Sequence, residues 1–280
     1  MKNIKLGSTD WGLPGAGLYA TRIAAQAGLD AISLKIGLHD NDYPITRKEM
    51  QRIYLDEQQK YGVEYCALAL NDFDFIPMHA RKGSEFYDTV WDMLSRAVPT
   101  AKALGIPMLQ VPGFVASEMK IEEDMEYTAK AFRYLCDAAG EQGISVASEN
   151  DMDREHFVKL YQMVDRDNFY LYYDSQNYFL NHGYDQVQVL EELYPYMCNQ
   201  IHVKDGKDGT LSGALLGSGD TGFFETMKWL DAHDFQGYIL LENYYDQYPL
   251  NTMGDPYELL TKDIEILRKA IVGDNSKIME

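Results

Sequence analysis

Short apolar runs alternate with longer amphipathic stretches along the whole chain, a pattern that predicts parallel strands joined by crossover helices. Eight strand segments stand out: Ile4 to Gly7, Ala31 to Ile36, Val63 to Leu70, Pro107 to Val111, Ser145 to Glu149, Phe169 to Asp174, Gln200 to Val203 and Tyr238 to Glu242. Between them the helical period runs over Leu18 to Ala27, Thr46 to Tyr61, Glu85 to Leu104, Glu122 to Gln142, Asp153 to Val164, Val187 to Leu193, Thr221 to His233 and Pro256 to Val272. Gly28, Gly62, Gly105 and Gly143 each stand between a helix and the next strand, where a left-handed cap suits glycine. Pro256 opens a helix, where a missing N–H is harmless. Eight βα units, with no glycine-rich fingerprint after the first strand, predict an α/β fold closed into a (β/α)8 barrel, in preference to an open doubly wound sheet. No linker or composition shift divides residues 1–280, so one domain is expected, followed by a short polar tail after Val272.

Composition adds exclusions. The chain has 280 residues and 46% apolar side chains, ample material for a large core. Its net charge of −19, from 25 basic and 44 acidic side chains, repels nucleic acid and anionic membrane surfaces at long range. Neither is expected as a partner, although a lysine in a cleft could still receive a single phosphate. Cys66, Cys136 and Cys198 have neither CxxC spacing nor the density of a secreted scaffold. The N-terminus carries no apolar signal segment, and no apolar run is long enough to cross a bilayer. A reduced, cytoplasmic setting is the expectation.

In a barrel of this kind, reactive side chains project from the C-terminal strand ends and the loops that follow. The fifth strand ends in Ser148-Glu149-Asn150 and the sixth in Tyr173-Asp174-Ser175; the seventh reads Ile201-His202-Val203-Lys204-Asp205, and the eighth ends in Leu241-Glu242-Asn243. One strand-end Glu or His is most often a satisfied hydrogen-bonding residue. Four at successive ends, each preceded by apolar residues, are different, because buried carboxylates are too costly to keep without positive charge. No arginine occupies these ends. The set Glu149, Asp174, His202 and Glu242 therefore predicts one shared divalent metal ion. Three carboxylates with one imidazole favour Mn2+, with Mg2+, Co2+ or Zn2+ as alternatives.

At these residues the chain resembles the xylose isomerase-like TIM barrel family, which contains ketose 3-epimerases, sugar-phosphate isomerases and epimerases, inosose dehydratases and endonuclease IV. The resemblance covers nearly the whole chain. It is carried by Ala101-Lys102-Ala103-Leu104-Gly105, by Glu149 and Asp174, by His202-Val203-Lys204-Asp205, by Leu216-Gly217-Ser218-Gly219, and by Gly237-Tyr238 leading to Glu242. It implies that Glu149, Asp174, His202 and Glu242 hold the metal and that Glu149 and Glu242 double as the acid/base pair. A metal bridging a carbonyl and its neighbouring hydroxyl would acidify the C–H between them and steady the enediolate. Two carboxylates could then take a proton from one side and return it on the other.

The implied activity is metal-dependent epimerisation or aldose–ketose isomerisation of a free or phosphorylated ketose. A dehydratase of the inosose dehydratase type, using the same enolate, is the alternative. DNA repair of the endonuclease IV kind would need many more histidines than the 6 present, and a silent sugar-binding barrel would have no reason to keep four converging ligands. Two positions depart from the ketose 3-epimerase pattern: Asn177 stands where a substrate-contacting His falls, and Asp208 where an Arg often does.

Other residues on the same predicted face are candidates for substrate contact. Trp11, Phe114, Tyr244 and Tyr245 could stack on a sugar or cover the site, or simply pack loops. Phe73 and Phe75 could equally sit in a homo-oligomer interface. Asn177 could bond a sugar hydroxyl. Lys204, two residues past His202, points to the same side of its strand and could hold a substrate oxygen or phosphate. His39, His79 and His182 lie in βα loops, with His79 preferred. Leu216-Gly217-Ser218-Gly219-Asp220 could cradle a phosphate but is read as a structural turn.

Overall fold

The structure is a computed structural model that describes residues 1–15 and 17–273; from residue 274 the polar tail lies outside the described residues. Eight strands follow one another in sequence order around a closed barrel: β1 (Ile4–Thr9), β2 (Ala31–Lys35), β3 (Glu64–Ala69), β4 (Met108–Pro112), β5 (Ser145–Glu149), β6 (Phe169–Asp174), β7 (Met197–Val203) and β8 (Gly237–Leu241). The helices are α1 (Leu18–Gln26), α2 (Lys48–Tyr61), α3 (Tyr87–Leu104), α4 (Glu122–Gly140), α5 (Arg154–Val164), α6 (Asn177–His182), α7 (Gln186–Leu193), α8 (Phe223–Ala232) and α9 (Pro256–Ile271). By proximity of Cα atoms the chain groups into two compact units, one from Met1–Ile32, Tyr61–Glu64 and the described part of Tyr173–Glu280, the other from Ser33–Lys60 and Tyr65–Tyr172.

In the first unit β1 pairs with β8 and β8 with β7, all parallel, with Ser8 opposite Leu241 and His202 opposite Leu240. Strands covered on both faces read as near-continuous apolar runs, and Ile239, Leu240 and Leu241 are all fully buried. Gly7 is required by this pairing, since a Cβ there would fall 2.3 Å from the Leu240 side chain and 2.6 Å from the Ala31 carbonyl. α9 starts as its sequence dictates: Asp255 accepts from the N–H groups of Tyr257 and Glu258 at 2.9 and 3.2 Å, and Pro256 takes the first helical position.

In the second unit β4 pairs with β3 and with β5, parallel, and Pro112 stands opposite Glu149. α3 and α4 bury stripes at helical spacing, Val90, Met93, Leu94, Ala97, Ala101 and Leu104 on one, Met125, Ala129, Phe132, Leu135, Cys136 and Ala139 on the other. Cys66, Cys136 and Cys198 are buried and form no disulfide, and burial pushes the Cys136 thiol up to about 12. Among the described residues no helix is long and apolar enough to cross a membrane.

Three departures from the sequence reading have physical causes. β7 begins at Met197 rather than Gln200, because exposed Asn199 interrupts the apolar run while the strand continues beneath it. β8 ends at Leu241, so Glu242 is the first residue past the strand. α6 is a six-residue helix, too short to show a period, stopped by Gly183 in the left-handed region at φ 70°.

Candidate metal and active site

Strand ends in the first unit gather four ionisable groups. Asp174 closes β6, His202 is next to last in β7, Lys204 follows that strand, and Glu242 follows β8; all four are buried. His202 and Lys204 are two residues apart and share a side, as strand alternation requires. The Lys204 ammonium donates to Glu242 Oε2 at 2.6 Å and lies 3.2 Å from Asp174 Oδ2. His202 Nδ1 is 3.4 Å from Glu242 Oε2, and the Trp11 indole donates to Glu242 Oε1 at 2.9 Å. Asp174 Oδ1 accepts from the N–H groups of Gln176 and Asn177 at 2.8 and 2.7 Å where α6 begins. Burial by itself would push the Glu242 carboxyl up, but the neighbouring charges of His202 and Lys204 outweigh it and hold the group well below the usual carboxylate range.

In the second unit Glu149 closes β5, is buried, and accepts a hydrogen bond from the Gln110 amide of β4. The four residues singled out in the sequence are brought together: Glu149, Asp174, His202 and Glu242 each offer one ligand atom, and these atoms lie within 4.8 Å of one another. Donor atoms this close together could hold one metal ion in common. The donor set passes a charge test as well. Lys204 supplies part of the positive charge that the sequence reading attributed to a metal alone, yet the three carboxylates outnumber that ammonium even with the charge of His202 added. A divalent ion fits that excess.

Lys204 takes the direction expected of it and has carboxylate partners within the protein. It turns to the His202 side, but what it meets there is Asp174 and Glu242. Trp11 likewise holds a carboxylate through its N–H, which makes it a support for Glu242 before it can be a sugar platform. Asn177 is buried at the start of α6, its N–H spent on Asp174. Phe114 and Tyr244 are half-buried in the loops after β4 and β8. Tyr245 differs from Tyr244: it is fully buried and its hydroxyl donates to Asp263 at 2.9 Å. Phe73 is fully buried, which removes it from any subunit interface, while Phe75 is exposed.

Among the loop histidines, His39 is held by Asp72, with Nδ1 3.0 Å from its carboxylate, and His79 lies 3.5 Å from Asp124. His182 is exposed and stacks on Tyr184 with ring centroids 5.0 Å apart. The glycine loop after β7 is not a phosphate cradle: the N–H groups of Gly217 and Gly219 both donate to the buried Asp205 carboxylate, at 2.8 and 3.0 Å. Gly219 is needed there, because a Cβ would fall 2.1 Å from Asp205 Oδ1. The sequence reading passed over Gln110 and, though it counted Asp205 in the His202-Val203-Lys204-Asp205 run, gave Asp205 no role of its own. Gln110 left a trace as a lone polar residue in the apolar run Met108-Leu109-Gln110-Val111.

Fold and donor set together define a (β/α)8 barrel protein with a candidate metal centre at its strand ends. Residues 21–270 match the profile of the xylose isomerase-like TIM barrel family, and the chain belongs to that family. It is 32% identical over 229 residues to a 2-epi-5-epi-valiolone 7-phosphate 2-epimerase from an Actinoplanes species, covering 81% of this chain and 82% of that one. The solved structures that share the fold include two with informative contents. The D-allulose 3-epimerase of Methylomonas sp. in complex with D-allulose aligns with TM-score 0.73 and 18% identity over 96% of this chain and 98% of its own. The IOLI protein with a bound zinc atom aligns with TM-score 0.76 and 18% identity over 97% and 99%. The proteins it is similar to thus include epimerases.

Proposed function

We propose that the protein is a metal-dependent epimerase of a ketose or phosphorylated cyclic ketone. The observation that carries this reading is the convergence of Glu149, Asp174, His202 and Glu242. The 32% identity to an epimerase of a sugar-like phosphate supports the substrate class. An ion held by these four, Mn2+ by preference, would supply the Lewis acidity that acidifies a C–H beside a carbonyl and steadies the enediolate. This chain's own residues do the rest. One of Glu149 and Glu242 enters as the carboxylate and takes the proton, while the other enters protonated and delivers its own proton to the opposite face, so the pair ends the turnover with its protonation states exchanged. Trp11 and Lys204 hold Glu242, and Gln110 holds Glu149, so that each carboxylate keeps its direction. Burial of these groups strengthens every one of these interactions.

The test offers purified protein, with and without Mn2+, a panel of ketoses and cyclic ketone phosphates in D2O, followed by mass spectrometry and NMR. Metal-dependent deuterium uptake at one carbon with inversion is the expected result. Water loss from the substrate would shift the reading to a dehydratase, and metal-independent turnover would overturn it. His202→Ala should lower Mn2+ occupancy by elemental analysis; unchanged occupancy would remove His202 from the ligand set.

A further inference from the structure

Asp263 breaks the rule that shapes its own helix. The buried stripe of α9 is Leu259, Leu260, Ile264, Leu267 and Ala270, and Asp263 lies within it with no exposed surface. Its carboxylate accepts from the Leu216 N–H at 2.8 Å, the Asn243 amide at 2.7 Å and the Tyr245 hydroxyl at 2.9 Å. Asn243 extends the chain: its Nδ2 also donates to the Ala214 carbonyl at 2.8 Å, and its Oδ1 accepts from the Asp205 N–H at 3.0 Å. Asp205 in turn gathers the N–H groups of Gly206, Gly217 and Gly219 and the Thr221 hydroxyl, at 2.9, 2.8, 3.0 and 2.7 Å.

Two buried carboxylates, one bonded by the Asn243 amide and the other on the residue whose N–H that amide accepts, are a costly way to close two loops. Burial pushes Asp263 up to about 7 and raises Asp205 as well. What the chain of bonds holds is backbone beside the site, since Asn243 follows Glu242 directly and Asp205 follows Lys204 at the end of the strand that carries His202. We propose that Asp263 is a positioning residue: through Asn243 it ties the chain after β7 to the chain after β8 and thereby fixes the directions of His202, Lys204 and Glu242. This rests on the function proposed above only for its metal readout. Outer partners of a metal site affect affinity because they set ligand orientation.

Asp263→Asn keeps the volume but can accept fewer than the three hydrogen bonds now made. Titrated with Mn2+ alone, by calorimetry well below its melting temperature, it should bind about 10-fold more weakly than the parent. The exchange Asp263→Asn with Asn243→Asp restores a donor–acceptor pair in reverse and should recover part of that loss. A folded Asp263→Asn protein with parental Mn2+ affinity overturns the proposal. Should that variant not fold, Tyr245→Phe removes one donor and leaves the charge; a smaller loss of affinity supports the role, and none overturns it. If the parent itself binds no divalent ion, the proposed function fails but the positioning role is still read from a crystal structure of the variant. Glu242 and His202 displaced from their parental positions support it, and unmoved side chains overturn it.

Discussion

Buried carboxylates at two places in this chain are satisfied in opposite ways. In the second unit Asp72, fully buried, accepts from the His39 N–H at 3.1 Å, the His39 ring at 3.0 Å and the Tyr43 hydroxyl at 2.7 Å. In the first unit Asp174 and Glu242 share one buried ammonium, with an imidazole and an indole N–H also on Glu242. The Asp72 arrangement is complete with directional donors from its own loops and binds a turn together. The Asp174 and Glu242 arrangement is organised by charge, and with Glu149 it carries more negative charge than Lys204 cancels. Hydrogen bonds alone suffice where a carboxylate is structural. An excess of like charge, which costs stability, is retained where the proposed function calls for a metal and a proton to be handled.

The comparison is broken most directly at the proposed acid/base pair. Glu149→Gln and Glu242→Gln should each lower turnover by about 100- to 10,000-fold while leaving the circular dichroism spectrum unchanged; full activity in either excludes it from proton transfer. Lys204→Met leaves buried carboxylates facing one another and should cost the metal-free protein about 3–5 kcal/mol in urea unfolding. Added Mn2+ should restore much of this, and an unchanged midpoint would mean the ammonium carries no such burden. In the other region Leu68→Ala, at a fully buried position of β3 opposite Leu109, should cost about 2–5 kcal/mol with no change in turnover per folded molecule. Reduced turnover there would mean the two regions are not separable.

A further effect concerns pH. Asp263 is raised to about 7 by burial, against an ordinary value near 3.9. Its folded form therefore holds a proton that the unfolded chain has lost, so its contribution to stability is full below pH 4 and fades as pH rises through 7. The slope is at most about 1.4 kcal/mol per pH unit. Asp263→Asn should flatten this part of the stability profile; a profile identical to the parent would place the titration elsewhere.

Much of the fold was legible because its signals are local. β5 and β6 begin and end where the apolar runs do, and Asp153, Asp185 and Asp255 cap α5, α7 and α9 at the positions their neighbours require. The short α6 and the early start of β7 were not legible, since neither presents a full period.

The sequence by itself determined the eight βα units and the succession Glu149, Asp174, His202, Glu242 at their ends, because alternation along a strand and punctuation between elements depend only on near neighbours. Tertiary structure alone decided which groups meet. Lys204 could have faced substrate but lies between two carboxylates, Tyr245 and Phe73 are core while Tyr244 and Phe75 are not, and Asp263 is drawn into the buried stripe of its helix. Those outcomes turn on separations of about 3 Å between residues tens of positions apart. Only a closed barrel, which places each strand end at a fixed point, can set them.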